Sequence, residues 1–148
     1  MLNKSHLKQQ LLDTLTKQRD IAFSAASDAH NDATHEQSVA ETQYDTVGLE
    51  AAYLAHGQSQ RVAEFDTMIN QLTAMSLRDF SEQDEVAIGA VITLDGSQQF
   101  WLMPMCGGYK LEGGKIVVVT PLAPLGKMLI GAEVGDTLKN GKVITGIA

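Results

Sequence analysis

The sequence predicts an α+β protein: an N-terminal antiparallel helical hairpin, followed by a small antiparallel β domain that carries one short helix. Three observations lead there. Eleven of the 13 glycines and all three prolines lie beyond Phe80, so the first half is nearly free of helix breakers. In that half apolar residues recur every three or four positions, the helical period. Beyond residue 85 they fall into short runs separated by turn dipeptides, the pattern of strands. The division is read as residues 1–78 for the hairpin and 79–148 for the globular part.

In the first helical stretch Leu7, Leu11, Leu15, Ala22, Ala26 and Ala29 form one stripe that thins from Leu to Ala. In the second, Val47, Ala51, Leu54, Gln58, Val62, Phe65, Ile69 and Leu72 step by three or four, a heptad-like coiled-coil seam. Two such stretches joined by a short polar segment pack antiparallel, and a helix of about 30 residues is on the order of 45 Å long. The far end of the hairpin is placed near residues 29–45. Ser38 and Glu41 have the Ser-x-x-Glu spacing of a capping box that would open the second helix.

After Ser81-Glu82-Gln83-Asp84-Glu85, strands are expected at 86–94 and 98–105, with Asp95-Gly96-Ser97 as the turn between them. Lys115 to Thr120 reads as a buried strand. The run from Thr120 to Gly131 reads as a short helix, with proline near its start and glycine at its stop. Residues 135–138 and 142–145 are expected as closing strands around an Asn140-Gly141 turn. Phe100 and Trp101 are strand neighbours, so one faces the core and the other faces away.

The charge pattern narrows function. The chain of 148 residues carries 18 acidic and 11 basic side chains, a net charge of -7, which disfavours direct binding to nucleic-acid backbones. Between Asp20 and Gln60 stand seven acids and no Lys or Arg. With Cys106 alone there is no intrachain disulfide, and neither a signal peptide nor an apolar run of ~20 residues is seen, so a cytoplasmic protein off the membrane is expected. Cys106 has no adjacent histidine and is read as a small buried residue. His30 and His35 lack an established ligand spacing. Gly126-Lys127 fails as a phosphate loop, because Pro121 and Met128 stand where Gly and Ser or Thr are needed.

The run Thr120-Pro121-Leu122-Ala123-Pro124-Leu125-Gly126-Lys127-Met128-Leu129-Ile130-Gly131, with Gly135-Asp136 after it, resembles the C-terminal domain of the bacterial GreA/GreB transcript-cleavage factors. There a strand is followed by Ser-Pro-x-(Gly/Ala)-x-x-Leu-(Ile/Leu)-Gly and then Gly-Asp. Ala40-Glu41-Thr42-Gln43-Tyr44 is similar to the Glu-Asn-x-Glu-Tyr tip of that family, and Gln60-Arg61-Val62 to its Gly-Arg-Ile. The order of parts matches too, a helical hairpin and then a small FKBP-like domain.

The resemblance implies an accessory factor, not an autonomous enzyme, that binds RNA polymerase at its secondary channel and inserts the hairpin. Acids at the tip then help hold a catalytic Mg²⁺ of the polymerase, which cuts backtracked RNA. It implies no cofactor of the chain's own, no direct sequence-specific contact with nucleic acid, no membrane, and a monomer. Glu41 and Asp45 are the candidates for assisting catalysis, and Asp32, Glu36, Glu41 and Asp45 for sharing the Mg²⁺. Pro121, Leu122, Pro124, Leu125, Gly126, Leu129 and Ile130 are the candidate docking residues. Where typical members place an acid three residues before the tip Glu and another before the Tyr, this chain has Ser38 and Gln43. A channel-binding regulator or inhibitor without cleavage is therefore the alternative. An FKBP-like prolyl isomerase ranks below both, since few aromatics lie beyond Phe80, and a dimerising coiled-coil adaptor is a third reading.

Overall fold

The computed structural model describes residues 2–39 and 46–148, with side chains described throughout these except at 29, 30, 32–56 and 58. Helix α1 spans Lys4–Val39 and helix α2 spans Thr46–Ala74. A five-stranded sheet follows, made of β1 (Val91–Leu94), β2 (Gln98–Leu102), β3 (Lys110–Leu111), β4 (Ile116–Val119) and β5 (Ile144–Ile147), with helix α3 (Pro124–Leu129) between β4 and β5. The protein is α+β. Its chain divides into two compact units, one formed by Leu12–Met75 and the other by Met1–Leu11 together with Ser76–Ala148.

In the helical unit the predicted stripe is the buried one. Leu15 is wholly buried, and Ala22, Ala26, Phe65 and Leu72 are buried with it, while Val62 and Ile69 are half-buried. The side chains of the seam residues Val47, Ala51, Leu54 and Gln58, and that of Ala29, lie outside the described set. Arg19 of α1 donates from Nε to Asp66 Oδ1 of α2 at 3.0 Å. Arg19 is 20 residues before the last α1 residue (39−19) and Asp66 is 20 after the first of α2 (66−46), so the helices run antiparallel. Ser38 falls within α1 and α2 opens at Thr46, so the expected capping box does not start the second helix. The reason lies in the sequence: neither Gly nor Pro interrupts α1 before residue 39.

The sheet order is β3-β4-β2-β1-β5. The expectation of an all-antiparallel sheet is corrected in one place: β4 lies parallel to β2, with Trp101 beside Val118. A parallel pair needs a crossover of about a dozen residues or more, and the thirteen from Met103 to Lys115 supply it. The unbroken apolar run Ile-Val-Val-Val is what a strand covered on both faces requires, and β4 is buried at Ile116, Val118 and Val119.

The hairpin between β1 and β2 closes as predicted. Asp95 and Gly96 have φ of +50° and +71°, the left-handed values a tight hairpin turn demands, and Ser97 N–H donates to Leu94 C=O. The strand expected at 86–94 is shortened to 91–94, because Gly89 (φ +96°) breaks the extended run and turns its carbonyl toward Trp101 Nε1–H, 3.2 Å away. The closing strands expected at 135–138 and 142–145 reduce to a single bridge between Thr137 and Val143, with β5 starting at Ile144. Leu138 N–H bonds back to Lys142 C=O across the Asn140-Gly141 turn.

One face of the sheet packs into a core that includes Ile92, Leu94, Leu102, Leu129, Ile144 and Ile147. Residues Val91, Trp101, Ile116 and Val118 project from the other face, and all are buried. Both predicted aromatics are used inside: Trp101 is wholly buried and Phe100 packs, half-buried, against the core on its own face. In the same unit the first turns of α1 are tied down. Gln10 Nε2 donates to Glu112 Oε1 at 2.7 Å while Glu112 N–H donates to Gln10 Oε1 at 3.0 Å, and Leu7 and Leu11 on that segment are wholly buried.

Candidate functional site

The seven-acid stretch spans the place where α1 ends and α2 begins. Glu41 and Asp45, the candidates for assisting catalysis, lie outside the described residues. Asp32 and Glu36 lie on α1 four residues apart, which places them on one face of the helix; their side chains are outside the described set. Among the described residues no three of His, Cys, Asp or Glu come together as a metal-binding group.

The two arginines that border the stretch are engaged within the helical pair, Arg19 across to α2 and Arg61 along its own helix. Arg19 bonds Asp66 and lies 3.5 Å from Asp20, and these contacts, led by the Asp66 hydrogen bond, raise its pKa further above an already high value. Arg61 lies 5.9 Å from the centroid of the Phe65 ring. The acids between them therefore border on cations that are already paired or stacked.

The candidate docking residues separate by side. Leu122 is 84% exposed, Ile130 is 47% exposed and Pro124 is exposed, so these point outward. Pro121 and Leu125 are half-buried, and Leu125 leans on the core. Gly126 and Leu129 are buried. The sequence explains this split. Pro124 occupies the first turn of α3, where its missing N–H costs nothing, and Leu125 and Leu129, four apart, turn the same face inward. A Cβ on Gly126 would stand 1.8 Å from the Thr120 carbonyl oxygen, so only glycine lets the β4–α3 turn close against the helix. That turn, closed by Ala123 N–H to Thr120 C=O, displays Leu122.

Cys106 is buried, and burial pushes its thiol up to about 11, so it is a poor nucleophile at neutral pH. A cleft of about 340 Å³ beside α3 is lined by Lys127, Met128, Ala132, Asp136, Thr137, Leu138 and Lys139, with no aromatic ring among them. With Trp101 and Phe100 both turned into the interior, the aromatic lining an isomerase pocket uses is not presented there.

One group went unnoticed in the sequence. Lys4 is buried, its Nζ donates to the Arg78 carbonyl at 2.7 Å, and it lies 4.5 Å from the centroid of Phe80. The signal was its register, three residues before Leu7 on the stripe that continues to Leu11 and Leu15.

The geometry thus defines a class: an α+β protein pairing two long antiparallel helices with a small mixed sheet, acid-rich where the helices join. No protein-family model and no curated protein matches the chain. Among solved structures the chain is similar to the "GreA factor homolog 1 (Gfh1) protein of Thermus thermophilus", with 20% identity and a TM-score of 0.35, over 93% of this chain and 94% of that one. It is also similar to Gfh1 of Thermus aquaticus, at 22% identity and TM-score 0.35 over 91% and 92% of the two chains. A third structure, titled the transcription factor Gfh1, gives 21% identity and TM-score 0.33 over 90% and 88%. No helix among the described residues is long and apolar enough to cross a membrane.

Proposed function

We propose that this chain is a Gre-type accessory factor of bacterial RNA polymerase, monomeric and cytoplasmic, that binds in the secondary channel and assists Mg²⁺-dependent cleavage of backtracked RNA. The observation that carries the reading is the position of the Lys- and Arg-free acidic stretch, at the join of two long antiparallel helices. The motif at 120–137 supports it, with Leu122, Pro124 and Ile130 as the outward residues that dock. Mg²⁺ takes one or two carboxylates from a protein and fills its remaining positions with water and phosphate, so the donor set of Asp32, Glu36, Glu41 and Asp45 fits an ion shared with the polymerase. When bound, such an ion would supply the activated water. The chain contributes carboxylate oxygens that hold and orient it, and a negative end that a positively charged channel draws in.

A second reading rests on Ser38 and Gln43, which stand where related factors carry acids. With fewer carboxylates at the tip, the same protein occupies the channel and regulates the polymerase without cutting.

The experiment is to add the protein to stalled, backtracked elongation complexes with Mg²⁺ and look for shortened RNA. Cleavage that is lost in Glu41→Ala and Asp45→Ala while polymerase binding persists supports the first reading. Binding that displaces a known cleavage factor, with no shortened RNA, selects the second. Failure to bind polymerase sinks both.

A further inference from the structure

The hairpin tip at 138–142 holds the chain's one Asn-Gly pair, Asn140-Gly141; the other asparagines precede Lys4, Asp32 and Gln71. Both residues of the pair are exposed. Gly141 has φ of +85°, the left-handed conformation that a short hairpin loop gives to glycine, and with no Cβ it leaves its backbone nitrogen open to approach. Two hydrogen bonds address the pair. Lys142 N–H donates to Asn140 Oδ1 at 3.0 Å, which polarises the side-chain carbonyl and stabilises negative charge that develops on its oxygen. Gly141 N–H donates to Leu138 C=O at 2.9 Å, which holds that nitrogen out of reaction. The electrophile is thus activated, and the neighbouring nucleophile is restrained by a single turn bond at an exposed tip.

We propose that Asn140 is a self-modification site, deamidated by its own backbone whenever the turn bond from Gly141 to Leu138 opens. The Gly141 nitrogen gives its proton to hydroxide, forms the new N–C bond at Asn140 Cγ and closes a succinimide ring. The Cγ–Nδ2 bond breaks, its electron pair leaves on the nitrogen, and a proton from water completes ammonia. Water then opens the ring at either carbonyl, leaving aspartate, or isoaspartate in which the chain runs through the former side chain. Nothing is oxidised or reduced. The two products differ in what they do to the fold. An aspartate carboxylate accepts the Lys142 N–H more strongly than the amide did. Isoaspartate adds a carbon to the loop backbone, so the Leu138 to Lys142 bond and the Thr137–Val143 bridge beyond it lose their register.

The test holds the intact chain in mildly alkaline buffer at physiological temperature, beside the same chain unfolded in guanidinium chloride, and follows each asparagine by peptide mass spectrometry with aspartate and isoaspartate resolved. In the native chain Asn140 is expected to convert severalfold faster than Asn3 and Asn70. Unfolding should quicken it severalfold further, because the Gly141 nitrogen is then free while water donates to Oδ1 in place of Lys142. A native rate at Asn140 no greater than at Asn3 and Asn70 overturns the proposal, and equal rates at Asn140 in the native and unfolded chains refute the restraint by Leu138. Asn140→Asp should keep the wild-type denaturant midpoint, whereas aged chain enriched in isoaspartate should unfold at lower denaturant. Equal midpoints for those two would refute the loss of register.

Discussion

Gly126 shows how a single hydrogen can set a surface. Because a Cβ there would collide with the Thr120 carbonyl, Gly126→Ala should destabilise the protein by about 3 kcal/mol, read as a lower urea midpoint with unchanged slope. A shift below about 0.5 kcal/mol would show that the turn yields without cost. Two titrating groups make opposite predictions at alkaline pH. Lys4 has a folded pKa near 8 against 10.5 unfolded, so between these values the unfolded chain binds more protons. Its contribution to stability is present above 10.5 and is lost as pH falls through 8. Cys106 is raised from 9.0 to about 11, so its contribution is present below 9 and is lost as pH rises through 11. Stability measured by denaturant from pH 7.5 to 9 should rise in wild type relative to Lys4→Met, and parallel curves for the two would contradict this. At this scale the sequence was informative where local chemistry decides, as with Asp95-Gly96 and the inert Cys106. It was silent where partners are distant: nothing in the chain pairs Gln10 with Glu112, 102 positions away, or hides a lysine behind Phe80.

Among the elements, the helical pair rests on its narrow stripe and much less on its ion pairs. Leu15→Ala should cost about 2–5 kcal/mol, as a wholly buried leucine does, whereas Asp66→Asn should cost less than about 1 kcal/mol because the Arg19 pair is partly exposed. Comparable losses in thermal or urea unfolding would reverse that ranking. The stripe was legible because a 3.6-residue period is written locally. The direction of β4 was not, because an apolar run says that a strand is covered on both faces without saying which neighbour it joins or in which sense. The shortening of β1 has the same origin: Gly89 was visible, but its carbonyl's bond to the Trp101 indole depends on the fold having formed.

For the molecule as a whole, charge is the property that reaches furthest. If the acidic stretch is drawn into a positive channel, association with polymerase should slow as salt rises from about 50 to 300 mM, over which the screening length falls from above 10 Å to well below it. A stopped-flow association rate indifferent to salt would argue that docking through Leu122 and Ile130 dominates instead. The acids of the candidate site were legible as composition, since seven of one sign with none of the other stand out in any reading of the chain. Whether Asp32, Glu36, Glu41 or Asp45 meets a metal is a question of side-chain placement, which periodicity does not encode.

The sheet unit is discontinuous, built from residues 1–11 and 76–148. During synthesis, then, residues 1–11 are made well before the rest of their own unit. Gln10 has to wait for Glu112, 102 residues later, and at about 5–20 residues per second that is an interval of roughly 5–20 s. Throughout it Leu7 and Leu11 lack the C-terminal part of their unit, while the partners of Leu12–Met75 are already on hand. The helical pair is thus free to form on the ribosome well before the sheet, and a chain stalled short of Glu112 presents an apolar first turn to whatever chaperone attends it.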